Sequence, residues 1–313
     1  MRKEPIIAII LGSLIGLGMA FFVWQTTKKQ PSQTFPEPTS QSQKDSPTVV
    51  SSDGISIVEP LSLGVYTETS ITVSGITQPN AYVAVASTED ISFVRSDDQG
   101  DFITEITVEG GYNTIHVWGF KDDSFAQADI NVVYSSQIQE NTTEDQRPVK
   151  NIAMLGSITD ISENAIQIKT TDDLIEQLSI DEETTYANII DSTEEIDFSE
   201  VAIGDFIIAI GTRDANTLLT QRILVSEVPV NTVLTGIYGS IDELSASEFL
   251  VTHADGKQYS IDATGKIDVT KDDENGDIVR ARLSEATAGE RIIIVGDLED
   301  ELIASRIHIF PSE

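Results

Sequence analysis

The sequence predicts an all-β body, a β-sandwich followed by two tandem small β-barrels, carried on a single N-terminal transmembrane helix. Three observations lead there. Residues 6–24 form an uncharged apolar run of nineteen residues. Residues 51–135 read as short alternating strands between turn clusters. Residues 147–229 and 230–313 repeat one another.

The run IIAIILGSLIGLGMAFFVW, from Ile6 to Trp24, would reach roughly 29 Å as a helix, about the thickness of a bilayer's hydrocarbon core. Pro5 precedes it at a position where a helix tolerates a missing N–H, and Trp24 closes it with an interfacial aromatic. A cleavable signal peptide is the rival reading. It calls for a shorter apolar core and small residues at the cut, whereas this run ends in Phe21, Phe22, Val23 and Trp24. Arg2 and Lys3 before the run are nearly balanced by Lys28 and Lys29 after it. Orientation therefore rests on the acidic, cysteine-free body. The expectation is a cell-membrane protein with residues 1–5 cytoplasmic and the C-terminal body extracytoplasmic. Residues 25–50, with Pro31, Pro36, Pro38 and Pro47 among Ser, Thr and Gln, read as a linker too polar to build a core.

Composition narrows the chemistry. Of 313 residues, 52 are Asp or Glu and 19 are Lys or Arg, for a net charge of −33. The acids are spread along the body rather than gathered in a tail. Such a surface repels nucleic acid and anionic headgroups, so no nucleic-acid partner is expected. No cysteine is present, which excludes disulfides, thiolate metal sites and cysteine nucleophiles.

Within 51–135, Ile71, Val73 and Gly75 alternate with polar neighbours, and so do Val83 and Val85, and Ile115 and Val117; Ile103 and Ile106 mark a further strand. Ser70-Ile71-Thr72-Val73-Ser74-Gly75, Pro79-Asn80-Ala81-Tyr82-Val83, Asp98-Gln99-Gly100-Asp101-Phe102 and Glu109-Gly110-Gly111-Tyr112-Asn113-Thr114-Ile115 resemble a bacterial immunoglobulin-like domain of the glucodextranase-associated type. That resemblance implies a sandwich of about 80 residues and no particular activity. The turn Asp122-Asp123-Ser124 departs from it. Residues 136–146 form an acidic connector.

Met154-Leu155-Gly156-Ser157-Ile158 matches Ile237-Tyr238-Gly239-Ser240-Ile241. Ile203-Gly204-Asp205-Phe206-Ile207-Ile208 matches Ala288-Gly289-Glu290-Arg291-Ile292-Ile293, and Thr220-Gln221-Arg222-Ile223 matches Ala304-Ser305-Arg306-Ile307. Each copy reads as about six strands, which predicts an OB- or SH3-like barrel with one helical turn before the Gly-Asp or Gly-Glu pair. The pair resembles an uncharacterised family of bacterial exported small β-barrel repeats, which implies a fold and no activity.

No HExxH, GxSxG or GxxxxGK[ST] motif occurs. No pair of carboxylates stands out as acid and base. Asp273-x-Asn275-x-Asp277 begins like a calcium loop, but Ile278 and Ser284 occupy the positions where an EF-hand needs Gly and Glu. That stretch, like Asp97 to Asp101, reads as a solvated turn. No cofactor or metal is expected. His253 and His308 read as surface residues. One face is more specific: with Ile115 and Val117 inward, His116, Trp118 and Phe120 fall on the outer face, as does Tyr82 beside inward Val83. These four are the candidate contact for a protein or glycan ligand; the alternative is that the face packs on a neighbouring domain.

The function expected is non-catalytic: adhesion, scaffolding or presentation by a membrane-anchored cell-envelope protein, held in the membrane through residues 6–24. The alternatives are a carbohydrate-binding module using the aromatic face, or an accessory subunit of an envelope enzyme.

Overall fold

The computed structural model describes residues 50–52, 54–122, 124–138, 151–190, 193–214, 217–229, 234–245, 248–253, 255–273, 275–298 and 301–310. Strands make up 64% of these, and their only helical segments are two single 3-10 turns, Phe198–Glu200 and Leu283–Glu285. Among the described residues no helix is long and apolar enough to cross a membrane. The expected single-pass membrane protein, with its cell-membrane localisation, is corrected on that finding. The 6–24 segment itself lies outside the described residues, as do residues 1–5 and most of the linker and connector.

The first part of the body comprises β1 (Val50–Ser52), β2 (Ile55–Glu59), β3 (Gly64–Tyr66), β4 (Ser70–Ile76), β5 (Tyr82–Ala86), β6 (Ile91–Arg95), β7 (Asp101–Thr107), β8 (Gly111–Lys121) and β9 (Ser124–Tyr134). One sheet has the order β1-β2-β4-β7, and a second begins β6-β5-β8-β9-β3. Alternation decides what each sheet turns inward. Ile71 and Val73, Val83 and Val85, and Ile115 and Val117 are fully buried and meet Ile57, Ile106 and Ile130 in one core. The further strand marked by Ile103 and Ile106 is β7, and the two residues take opposite faces of it. Phe102 and Ile106 point inward while Ile103 is 66% exposed, because residues an odd number apart cannot share a face of a regular strand.

The chain continues through β10 (Ile152–Ser162), β11 (Ala165–Thr170), β12 (Ile175–Ser179), β13 (Thr185–Asn188), β14 (Glu194–Glu195), β15 (Phe206–Asp214) and β16 (Thr217–Ser226). Pairings run β10-β11-β12-β16-β15 and back to β10, which closes a ring. Next come β17 (Leu234–Leu244), β18 (Glu248–His253), β19 (Gln258–Asp262), β20 (Asp268–Asp272), β21 (Ile278–Arg280), β22 (Arg291–Leu298) and β23 (Leu302–Ile309). Their circuit, β17-β18-β19-β23-β22 and back to β17, is the same. Detail repeats too. Gly204 N–H donates to Ile158 O and Ile158 N–H to Asp205 O; Gly289, Ile241 and Glu290 make the same two bonds. A bulge falls after Ile210 in one ring and after Val295 in the other. There a Cβ on Gly211 or Gly296 would lie 2.0 Å from the carbonyl oxygen of Leu219 or Ile303, so only glycine lets the two strands cross at that spacing.

A separate immunoglobulin-like sandwich and two free-standing barrels are not what these strands form. Short β3 pairs in parallel with the end of β9 and meets β10 at Gly64–Ile152, so a single twelve-stranded sheet runs from the sandwich into the first ring. Leu63 stitches the seam. Its N–H donates to Asn131 O at 2.7 Å, and its carbonyl accepts from Ala153 N–H at 2.9 Å. The reason is edge satisfaction: β9 and β10 each end with unpaired backbone groups, and β3 fills the gap.

Strands β15 and β22 explain the continuous apolar runs in the repeats. Ile207 and Ala209 point into the first ring's core, while Phe206, Ile208 and Ile210 point outward to Val65, Tyr112 and Val133 of the sandwich. In the second ring Ile292 and Ile294 face the core, and Ile293 and Val295 face the sandwich through Trp118 and Phe120. A strand covered on both faces loses its polar alternation.

Candidate functional site

The β8 residues singled out in the sequence sit in register with β5: Phe120 opposite Tyr82, Trp118 opposite Ala84, His116 opposite Ala86. All four point away from the sandwich core, as the parity requires. They do not form an open face. Trp118 and Phe120 are each 1% exposed. They pack with Ala84 and Ala86 against Leu234, Tyr238, Ile293 and Val295 of the second ring, with Phe310 at the margin. The expected ligand contact through Tyr82, Trp118 and Phe120 is corrected: an aromatic sheet face and an apolar ring face are both costly in water, and each covers the other. Fit is close at one point. A Cβ on Gly236 would lie 2.9 Å from the Trp118 ring, so the indole rests on bare backbone.

A buried polar cluster closes the edge of this contact. The Tyr82 hydroxyl donates to Asp272 Oδ2. His308 Nε2 lies 3.5 Å from Asp272 Oδ1, and His308 Nδ1 lies 3.1 Å from Thr270 Oγ1. His308, expected at the surface, is 0% exposed, enclosed by Tyr82, Phe93 and Phe310 with ring centroids 5.1, 5.7 and 5.2 Å away. Burial is the main cause that lowers its pKa to about 4, and Asp272 opposes the shift. Burial and the bond to Asp272 push the Tyr82 phenol well above its usual range. Arg95 stacks over the Tyr82 ring at 5.1 Å. Arg306 reaches across to Asp90 at 4.0 Å.

His116 marks where the face changes character. Its ring stacks on Trp118 at 5.6 Å, and its Nδ1 pairs with Asp129 Oδ1 at 2.8 Å. The His116 bond is the largest cause holding the Asp129 carboxyl below the usual carboxylate range. One residue pair further, Thr114 Oγ1 donates to Asn131 Oδ1 at 3.0 Å. This polar half of the face lines a cleft of about 1030 Å³ between the sandwich and the first ring. On the opposite wall Arg213 Nη2 lies 3.3 Å from both carboxylate oxygens of Glu176. The β8–β9 register makes His116 and Asp129 direct partners, a pairing that follows from the hairpin turn after Lys121.

The calcium-like stretches are turns. Asp273 Oδ1 accepts from the amides of Asn275 and Asp277 at 2.8 and 3.0 Å, and Asp97 Oδ1 accepts from Gln99 and Asp101 at 2.8 and 2.9 Å. Among the described residues no group of three His, Asp or Glu side chains is placed to hold a metal ion. His253 is half-buried and pairs with Asp255 at 2.9 Å.

No protein-family model matches the chain, and no curated protein matches it. Nothing in these comparisons identifies an immunoglobulin-like family or a repeat family.

Proposed function

We propose that this chain is a non-catalytic scaffold: a stiff, acidic β body that holds its surfaces in fixed relation for a macromolecular partner. The observation that carries the reading is the fate of the aromatic face. The side chains best suited to grip an outside ligand, Trp118 and Phe120, are used to fasten the second ring to the sandwich. A mobile binding module has no need of that contact. The shared sheet at β3 fastens the first ring in the same sense. Of the histidine–carboxylate pairs, His308–Asp272 is sealed from any substrate. Net charge of −33 keeps such a body soluble and directs it to partners with basic or neutral surfaces.

The absence of cysteine makes the test clean. Glu105→Cys on the sandwich and Lys266→Cys on the second ring place spin labels at two exposed positions. Electron–electron distance measurements on the full chain should give one narrow distribution. A broad or multi-peaked distribution in the otherwise unaltered chain would remove the scaffold reading.

A further inference from the structure

We propose that the cleft between the sandwich and the first ring is a binding site for an uncharged, hydroxyl-rich ligand of the oligosaccharide class. Its volume, about 1030 Å³, suits a small-molecule site, and it lies at a junction between two packed bodies, where such sites collect. Its lining sets the ligand class. From the sheet come Thr114, His116, Asp129 and Asn131; from the ring come Glu176 and Arg213. Two of its carboxylates are tied within the wall, Asp129 to His116 Nδ1 at 2.8 Å and Glu176 to Arg213 at 3.3 Å, and Asp172 adds a third carboxylate to the lining. A wall with three carboxylates and one guanidinium offers no excess positive charge to hold an anion. These groups keep hydrogen-bonding capacity, since a carboxylate has about four acceptor sites and a guanidinium five donors. The amide and hydroxyl of Asn131 and Thr114 add both kinds. A ligand with neutral groups that donate and accept fits that wall. The chain's net charge of −33 works against a polyanion.

The lining is also held in place. His116 is fixed by its stack on buried Trp118, and Asn131 by backbone bonding of its strand to β8 and of its carbonyl to Leu63 N–H. Preorganised groups lose less freedom when a ligand arrives. The His116–Trp118 stack supplies an optical reporter, because a ligand against His116 changes the indole's surroundings.

The test titrates the full chain, by calorimetry and tryptophan emission, with neutral tetrasaccharides: cellotetraose, maltotetraose, chitotetraose and mannotetraose. Inorganic phosphate and a sulfated heparin tetrasaccharide form the charged arm. At least one neutral probe should bind, and Arg213→Ala and Asn131→Ala should each weaken it about tenfold or more with unchanged melting. Glu105→Ala, on the far sheet, should leave binding intact. The proposal is overturned if no neutral probe binds, if the charged probes bind more tightly, or if both cleft variants retain full affinity. Any of these outcomes leaves the scaffold reading standing, since that rests on the docked rings.

Discussion

His308 Nε2 and Asp272 Oδ1 face each other across 3.5 Å in a site closed to solvent, with the His308 ring 0% exposed. Neither atom makes a closer hydrogen bond within the described structure. Tyr82 brings its hydroxyl to the other oxygen of the same carboxylate from the sandwich side. The cluster thus ties residues 190 positions apart in sequence.

Acid should weaken the protein through His308. Its folded-state pKa of about 4 lies below the ordinary value of 6.5, and burial is the first cause. Between those values the unfolded chain binds a proton that the folded chain does not. The stabilising difference is therefore whole above about pH 6.5 and is lost as pH falls toward 4. The groups facing the ring are Asp272 and Thr270 of the second ring and Tyr82 of the sandwich, with Arg95 stacked on Tyr82. Urea melts across pH 4 to 7 should show a rise of roughly 2–3 kcal/mol in unfolding free energy toward neutral pH. His308→Gln should flatten that slope. An equal slope in the variant would assign the effect to other groups.

Tyr82→Phe removes the donor to Asp272 and nothing of the ring's volume. A buried carboxylate oxygen is left without its bond, which costs about 1–3 kcal/mol. Because Tyr82 and Asp272 belong to different bodies, the loss should fall on their docking. The two-label distance distribution should broaden while the circular dichroism of the strands stays unchanged. Asp272→Asn, which can still accept from Tyr82, should lose less than Tyr82→Phe.

What the sequence made legible follows from range. Inward parity of Ile71, Val73, Val83, Val85, Ile115 and Val117 is a local matter of alternation, and these residues line one core. In β7 the inward parity belongs to Phe102 and Ile106, and Ile103 falls on the other face. The apolar runs at 206–210 and 292–295 announce buried strands, yet nothing local says what covers their second face. Alternation places His308 at the surface because Ile307 and Ile309 occupy the inner face of β23. Its own face is covered by Tyr82, Phe93 and Phe310, two of them more than two hundred positions away. The His116–Asp129 pair was within reach: a tight turn after Lys121 sets the hairpin register that puts them opposite.

Gly211→Ala and Gly296→Ala should damage the two rings alike. In each, a new methyl would sit 2.0 Å from a carbonyl oxygen of the neighbouring strand at the bulge. The backbone must shift there, at a cost of about 1–3 kcal/mol of the kind seen on overpacking a core. Matching losses would support equivalent roles for the two bulges; a loss confined to one ring would count against them.

Trp118→Ala tests the docked face directly. The indole is 1% exposed, yet it belongs to the contact with the second ring and not to the sandwich core formed by Ile57, Ile71, Ile115 and Val117. Removing a large aromatic from a closed site costs about 3–5 kcal/mol where the surroundings cannot collapse. Here the loss has an outlet, since the second ring can separate from the sandwich with both cores whole. The expected result is an early, low-cooperativity step in the urea melt, a broadened label distance between positions 105 and 266, and strand dichroism that survives that step. Gly236→Ala should produce a smaller version of the same behaviour, because its Cβ would lie 2.9 Å from the Trp118 ring and push the two surfaces apart. One cooperative transition with the label distance unchanged in both variants would mean that the aromatic contact does not hold the rings together.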